Sequence, residues 1–418
     1  MSTTGGRDPG ESAASAPTRP SVRGRLVYAG LEQLPLAAAV AAYAAGRAAM
    51  QAGTGRRWRL PVAGIAWDSA YWFLVLLLLA ILWHSASFLR DELRSRRLSG
   101  RQIQDRAIEG GGSEARRPIR RWLAHVGGRM GLVQPAAAGL TVLLVVLFLN
   151  LFVAVKTAIP ALHPFTWDPA LFRADRMLHL GHDPWRLLRP LLNAPGAVRI
   201  LDVLYALWFV VVMAVLLWQC WSSERRTRCR FLLAFLLCWT VGGSVLAVIF
   251  SSAGPVYYGR VTGLPDPYRP LLHHLASMDS VHSLAALKIQ RYLWESYTGA
   301  AVHSVQGISA MPSMHVSMAV LAALVGTERS RWLGGLLWVF AAGIFVGSVL
   351  LGWHYAVDGY AAVALTLGCW WVARLLTGRW DSVLSRPAPR GGVRASLGLS
   401  ALHRETWGSG RDAAPPAP

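Results

Sequence analysis

The chain has 418 residues, of which 54% are hydrophobic and 15% are charged, and its mean hydropathy is +0.36. Soluble domains carry about 25% charged residues, so this composition points to a membrane protein. The net charge of +20 is almost entirely arginine, because Lys156 and Lys288 are its two lysines. We attribute this charge to cytoplasmic loops rather than to nucleic-acid binding, since no basic stretch carries a nucleic-acid motif.

The amino-terminal end and the cysteines limit other possibilities. The first 25 residues are polar and rich in small residues, Pro and Gly, so we predict a disordered cytoplasmic segment over residues 1–25 and no cleavable signal peptide. The four cysteines lie in or beside apolar segments without CxxC spacing. This pattern favours neither a disulfide framework nor a zinc site.

Apolar segments of about 20 residues recur along the chain, as membrane-spanning helices require. They predict an all-α integral membrane protein with about eight transmembrane helices. The predicted spans are residues 31–50, 65–89, 137–155, 201–221, 231–250, 312–325, 332–351 and 355–376. The predicted domains are a transmembrane helix pair over 26–90, a basic cytoplasmic linker over 91–130, a six-helix catalytic membrane domain over 131–380 and a disordered cytoplasmic tail over 381–418.

Arginine-rich loops set the expected orientation. With the amino terminus inside and eight spans, four basic regions fall on the cytoplasmic side, as the positive-inside rule requires. These regions are residues 90–129, 222–230 and 327–331 and the carboxyl-terminal tail. Arg56, Arg57 and Arg59 are an exception, because they fall outside. This orientation in a plasma or inner membrane places the loops over residues 156–200 and 251–311 on the outer face.

The segment "GISAMPSMHV", Gly307 to Val316, precedes a predicted span. Proline is favoured at the first position of a helix, so Pro312 is expected to start that helix. Ser313 and His315 then fall in the first turn, where backbone N–H groups lack internal partners and attract phosphate. We predict that Ser313 binds phosphate and that His315 transfers a proton.

The segment "GWHYAVDGY", Gly352 to Tyr360, begins the last predicted span on the same outer face. His354 and Asp358 are four residues apart, so they share one face of a helix. A carboxylate bonded to one imidazole nitrogen leaves the other nitrogen as a nucleophile or base. A structural His–Asp pair is the alternative, and the coincidence of two such segments at one membrane face favours catalysis. Neither segment has metal-ligand spacing such as HExxH.

Together, "PSMH" and "HYAVD" resemble the second and third motifs of the type-2 phosphatidate phosphatase superfamily. The longer "GISAMPSMHV" and "SSAGPVYYGR", Ser251 to Arg260, resemble more narrowly the bacterial relatives of inositol phosphorylceramide synthase. The segments "DRMLHLGHDPW" and "LDVLYALW" resemble earlier parts of those relatives. The likeness covers roughly residues 140 to 376.

This resemblance implies a two-histidine mechanism without metal or cofactor. His354 would attack phosphorus and form a phosphohistidine, and Asp358 would hold His354 in place. His315 would protonate the leaving oxygen and then activate the incoming hydroxyl. Arginine, serine and helix N–H groups would stabilise the charge on the phosphoryl oxygens.

The chain departs from the superfamily pattern in its first motif. "RVTGLPDPYRP", Arg260 to Pro270, has the Arg-Pro pair but lacks the matching lysine, and Gly347 and Ser348 stand where Ser-Arg is usual. We therefore predict Arg260 first and Arg269 second as phosphate-binding residues. The alternative for either residue is an arginine that anchors the helix to lipid headgroups.

The favoured function is a membrane enzyme that transfers a phosphoryl or phospho-headgroup from a lipid donor to an alcohol, as an inositolphosphotransferase does. The first alternative is a lipid phosphate or prenyl diphosphate phosphatase, in which water is the acceptor. The second alternative is a non-catalytic transporter or scaffold, which eight spans would suit equally well. The expected partners are the bilayer, a lipid phosphate or phospholipid and an acceptor, without nucleic acid.

Overall fold

The computed structural model describes residues 22–54, 62–99, 122, 133–299 and 307–385, and the regular structure in these ranges is helical, with no strand. The helices are α1 (Val22–Glu32), α2 (Leu34–Thr54), α3 (Val62–Ser99), α4 (Val133–Leu162), α5 (Asp168–Leu178), α6 (Pro184–Leu187), α7 (Arg189–Leu192), α8 (Pro195–Trp221), α9 (Arg225–Leu237), α10 (Ala247–Ile249), α11 (Tyr258–Thr262), α12 (Arg269–His282), α13 (Ala285–Tyr297), α14 (Met314–Arg329), α15 (Arg331–Leu350) and α16 (Ala356–Ser385). A π-helical segment, Cys238–Leu246, joins α9 to α10, and a 3₁₀ turn, Pro255–Tyr257, precedes α11.

Membrane-spanning helices dominate the fold, which confirms the predicted all-α integral membrane class. Six helices of the described residues are long and apolar enough to span a bilayer, and the count is seven if the bent pair Leu26–Glu32 and Leu34–Gly53 is one span. The six are Gly64–Arg90, Val133–Leu162, Gly196–Trp221, Arg225–Ile249, Arg331–Leu350 and Ala356–Val383.

The span predicted over residues 312–325 corresponds to α14, which differs from the other predicted spans in length. It has 16 residues, so it rises about 24 Å, less than the hydrocarbon thickness of about 30 Å. Ten of its residues are buried, which explains why its composition reads as a span: the apolar side chains face protein. The length of α14 therefore reduces the count from eight to seven, and the bend between α1 and α2 decides between seven and six.

Helix α14 forms an antiparallel hairpin with α15, and small residues make this close packing possible. A methyl group added at Gly334 would lie 2.7 Å from Thr327 Cα, and one at Gly326 would lie 2.6 Å from a Leu337 side-chain carbon. Ser330 alone separates the two helices. The hairpin fixes the start of α14, where His315 lies, against the rest of the bundle.

The amino-terminal helix α2 packs on the six-helix core and is part of the same compact unit, Gln33–Gly378. Its Tyr43 forms a hydrogen bond of 2.8 Å with Ser244 Oγ in the π-helical segment. The Tyr43 ring also lies 4.9 Å from the ring of Phe148 in α4. Polar and apolar contacts therefore join α2 to the core, although the sequence likeness begins only after it.

The predicted domain boundaries stay predictions. Helix α3 continues to Ser99, so the first residues of the predicted linker over 91–130 are helical, and Trp122 donates a hydrogen bond of 2.9 Å to Ser85 Oγ. Helix α16 likewise continues to Ser385. The rest of the linker, the predicted disordered segments and the exceptional arginines at 56, 57 and 59 lie outside the described residues.

Candidate active site

Three connecting segments meet at the end of the bundle where α14 and α16 begin. Ala310 N–H donates to the Ser252 carbonyl at 2.9 Å, and Met311 N–H donates to Ser252 Oγ at 3.2 Å. Val256 N–H donates to the Gly352 carbonyl at 3.0 Å. These bonds hold both histidine motifs against the segment "SSAGPVYYGR", residues 251–260. Residues far apart in sequence therefore form one layer.

Gly254 permits the closest approach in this layer. Its φ is +97°, a conformation that L side chains rarely adopt, and an added Cβ would lie 2.6 Å from the Trp353 carbonyl oxygen. The Trp353 carbonyl belongs to backbone rather than to a flexible side chain, so it has little freedom to move. A glycine at 254 is therefore needed for the residue before His354 to pack here.

His315 and His354 face each other across this layer. Their ring centroids are 6.2 Å apart, with an angle of 56° between the ring planes. His354 is buried, and His315 is half-buried. The two imidazoles are close enough for both to reach a single phosphorus centre between them, although 39 positions separate them in the sequence.

Asp358 stands behind His354 on the first turn of α16. Its Oδ2 lies 3.4 Å from His354 Nδ1 and accepts a hydrogen bond of 3.0 Å from Tyr355 N–H. The distance to the imidazole is longer than an ordinary N–H···O bond. Among the described residues, neither His354 Nδ1 nor Asp358 Oδ1 has a hydrogen-bond partner. The carboxylate is thus placed to hold Nδ1, which leaves Nε2 as the reactive nitrogen.

The backbone of His354 is fixed by α15. The Ser348 carbonyl accepts hydrogen bonds from Trp353 N–H at 2.9 Å and from His354 N–H at 3.0 Å, and Ser348 is fully buried. This residue occupies a position where the superfamily usually has an arginine. Here its main chain positions the nucleophile candidate, and its short side chain bonds locally to the Phe345 carbonyl.

Two aromatic residues of α8 orient His315. The Tyr205 ring stacks on the imidazole with centroids 4.6 Å apart, and the Trp208 ring lies 4.3 Å away at 41°. Trp208 Nε1 also donates a hydrogen bond of 2.8 Å to the His315 carbonyl. The aromatic faces restrict the rotation of the imidazole and exclude water from one side of it.

The start of α14 differs from the expectation by two residues. The helix begins at Met314, and Ser313 is its N-cap, with its hydroxyl accepting from Val316 N–H at 3.4 Å. Pro312 precedes the cap, because serine is strongly preferred at that position and proline is not needed to start the helix. Ser313 N–H also donates to the Asp358 carbonyl at 3.2 Å, which ties the start of α14 to α16.

The two predicted phosphate-binding arginines lie on exposed helical surfaces and have other contacts. The Arg260 guanidinium lies over the Trp294 ring, 5.0 Å from its centroid. Arg269 Nε lies 3.5 Å from His273 Nε2, one turn further along α12. Both side chains are exposed, so their assignment to phosphate remains a prediction.

Two buried carboxylates of α5 complete the layer, and the sequence analysis predicted neither of them. Asp168 accepts hydrogen bonds from Ala253 N–H at 2.9 Å, Gly254 N–H at 2.8 Å and the Tyr355 hydroxyl at 2.8 Å. Asp168 is fully buried. It therefore clamps the glycine turn to the residue that follows His354.

Asp175 caps the helix that carries Asp358. It accepts from Ala356 N–H at 2.9 Å and from Val357 N–H at 2.8 Å, which are the first residues of α16. Asp168 and Asp175 are seven residues apart with buried Leu171 between them, a spacing that puts all three on one helical face. This spacing is the sequence signal from which Asp168 and Asp175 could have been predicted to face the same side of a helix.

Burial is the main cause that raises the pKa of Asp175 to about 6, against the lowering effect of the two N–H donors. This folded-state pKa exceeds the value of about 3.9 in an unfolded chain. Asp175 therefore favours folding most below a pH of about 4, and this contribution is lost as the pH rises through about 6.

We expect Asp175→Asn to remove that pH dependence from the thermal unfolding midpoint in detergent. Identical pH profiles for the variant and the wild type would contradict this assignment.

The described residues contain no group of three or more His, Cys, Asp and Glu side chains arranged to hold a metal ion. Two imidazoles and three carboxylates among the described residues converge on the layer, and the carboxylates of Asp168 and Asp175 accept hydrogen bonds from backbone donors. The groups left for chemistry are therefore His315, His354 and Asp358.

The sequence around these residues matches a protein-family model. Residues 169–372 match the model of the PAP2 superfamily. The match supports placing this domain in that superfamily. It supports a metal-independent, lipid phosphatase or phosphotransferase kind of activity on a lipid phosphate at a membrane. The PAP2 match includes His315, His354 and Asp358. No curated protein and no solved structure matches the chain.

Proposed function

We propose that this PAP2 domain is a lipid phosphotransferase that works through a phosphohistidine intermediate. The observation that carries the proposal is the opposed pair of His315 and His354, with Asp358 behind His354. If the pair of His354 and Asp358 were only structural, no second imidazole would be needed on the side of His354 that faces away from Asp358. Two imidazoles facing one gap suit a nucleophile and a proton donor acting on the same phosphorus.

In the first step, His354 Nε2 attacks phosphorus as the bond from phosphorus to the leaving lipid oxygen breaks. Asp358 holds the Nδ1 proton and stabilises the positive charge that the imidazole acquires. His315 enters this step protonated and gives its proton to the leaving oxygen. The products are a lipid alcohol and a phosphoryl or phospho-headgroup bonded to His354.

In the second step, His315 is neutral and takes a proton from the acceptor hydroxyl. The acceptor oxygen bonds to phosphorus, and the electron pair of the phosphorus–nitrogen bond returns to His354. Ser313, the N–H groups at the start of α14 and the cationic residues nearby would stabilise the phosphoryl oxygens. Each histidine ends in its starting protonation state, so the cycle balances.

The acceptor separates two forms of the proposal. An alcohol acceptor gives the inositolphosphotransferase-like enzyme that the narrower resemblance of "GISAMPSMHV" favours. Water as acceptor gives a lipid phosphate or prenyl diphosphate phosphatase. We favour the alcohol, and we propose that the reaction takes place at the outer face of the membrane, because the positive-inside rule predicts that the basic loops lie on the cytoplasmic side.

Product analysis tests this choice. The purified protein is given a phospholipid donor, with and without free inositol. We expect inositol to give a new phospho-alcohol product and to lower the amount of the hydrolysis product formed with water. A ratio of phospho-alcohol to hydrolysis product that rises with acceptor concentration supports transfer. Release of the hydrolysis product at an unchanged rate with every alcohol offered would show that the enzyme is a phosphatase.

A further inference from the structure

Lys156 lies on α4 beside the first histidine motif. A methyl group added at Gly307, where that motif begins, would lie 2.6 Å from the Lys156 carbonyl oxygen and 3.3 Å from Thr157 Cα. Lys156 is the single charged residue of the 30-residue helix α4. The carboxyl-terminal end of α4 therefore brings a cation to the same end of the bundle as the starts of α14 and α16.

The charge of Lys156 acts on His315. Burial is the main cause that lowers the pKa of His315, and the positive charge of Lys156 lowers it further. A cation near an imidazole disfavours a second positive charge on the ring. This arrangement is unfavourable unless an anion enters between them, so the local charges match a negatively charged substrate.

No counter-ion for Lys156 is found in the part of the chain that the structure describes. The ion pairs there join arginine or histidine to Asp or Glu, and none includes Lys156. The side chain is only half-exposed. An unpaired amine in a membrane helix is costly and marks a functional position. The helix carbonyl end stabilises a cation by less than about 1 kcal/mol when exposed, so it does not account for this placement alone.

We propose that Lys156 binds a non-bridging oxygen of the phosphoryl group that lies between His315 and His354. The inference rests on the proposed function and adds to it a cation besides the two predicted phosphate-binding arginines, which lie exposed on α11 and α12. The Lys156 ammonium would neutralise the substrate phosphate and stabilise the charge that develops on its oxygens during transfer.

The sequence offers a matched control, since Lys288 is the other lysine and lies exposed on α13. We expect Lys156→Met to lower kcat/KM for a lipid phosphate by about 100-fold and to weaken inhibition by orthovanadate. Lys156→Arg should recover part of both. Lys288→Met should behave as the wild type. A Lys156→Met variant with wild-type kcat/KM and vanadate inhibition would overturn the inference.

Amine labelling of the wild type provides a second measurement that does not depend on how the variants fold. We expect orthovanadate to protect Lys156, and not Lys288, from an amine-reactive reagent, as read by peptide mass spectrometry. Active wild-type protein in which vanadate leaves Lys156 labelling unchanged would overturn this inference alone. Wild-type protein with no turnover of any phosphate ester would overturn the proposed function and the inference with it.

Discussion

Alanine in place of His354 is expected to abolish turnover of lipid phosphate, with a loss of about 10⁴-fold or more in kcat. The reason is that Nε2 of this residue forms the bond to phosphorus, and the ion pair of Asp358 is with His354. His315 is instead held by Tyr205 and Trp208. The measurement is kcat of purified protein in detergent, with and without a metal chelator. The chelator should leave wild-type activity unchanged.

The matched control for His354 is His273, an exposed histidine on α12. His273→Ala should retain wild-type turnover. The thermal unfolding midpoint of His354→Ala should fall, because the buried Asp358 loses its ion-pair partner, so turnover is compared at a temperature where the variant is folded. A folded His354→Ala protein that turns over at the wild-type rate would rule out His354 as the nucleophile.

The second large effect is expected at His315. Glutamine at this position should lower kcat for an alkyl phosphate ester by about 10² to 10⁴-fold, because a general acid and base is lost. An aryl phosphate has a leaving group that needs no proton. The first step should therefore recover with an aryl phosphate, whereas the second step should stay slow for want of a base.

This difference between donors gives a clear signature for His315. With an aryl phosphate, His315→Gln should release about one equivalent of phenol per enzyme in a burst and then accumulate the phosphoenzyme. The wild type should show steady turnover instead. Equal losses on alkyl and aryl donors, with no burst, would mean that His315 only supports the structure through its contacts with α8.

The residues that sequence could identify are those whose relation is local. His354 and Asp358 are four residues apart, and they pair as predicted, but His354 lies two residues before α16 begins at Ala356, so the pair joins the preceding turn to the first turn of the helix. Ser313 precedes an apolar helix, where serine is a favoured cap. The positions of Asp168 and Asp175 depend on packing between α5 and segments more than 80 positions later, and periodicity shows only that both are on one face.

The burial of side chains is a second property that the sequence pattern did not predict. Helix α14 has the composition of a membrane span because its side chains face protein rather than lipid, and composition does not separate these cases. Arg260 and Arg269 matched a motif, but their exposure to solvent follows from how α11 and α12 lie on the bundle. The proximity of Lys156 to Gly307, where the His315 motif begins, likewise follows from the packing of α4 and not from any sequence pattern.

The central claim is that His354 forms a covalent bond with phosphorus, and trapping that bond tests it most directly. Protein mixed with a labelled phosphate donor is quenched in alkali, where phosphohistidine survives, and digested for mass spectrometry. The account predicts label on the peptide that contains His354, accumulation of that label in His315→Gln, and its absence in His354→Ala. Active protein whose label is on another residue, or whose His354 peptide stays unmodified during a measured burst, would contradict the account.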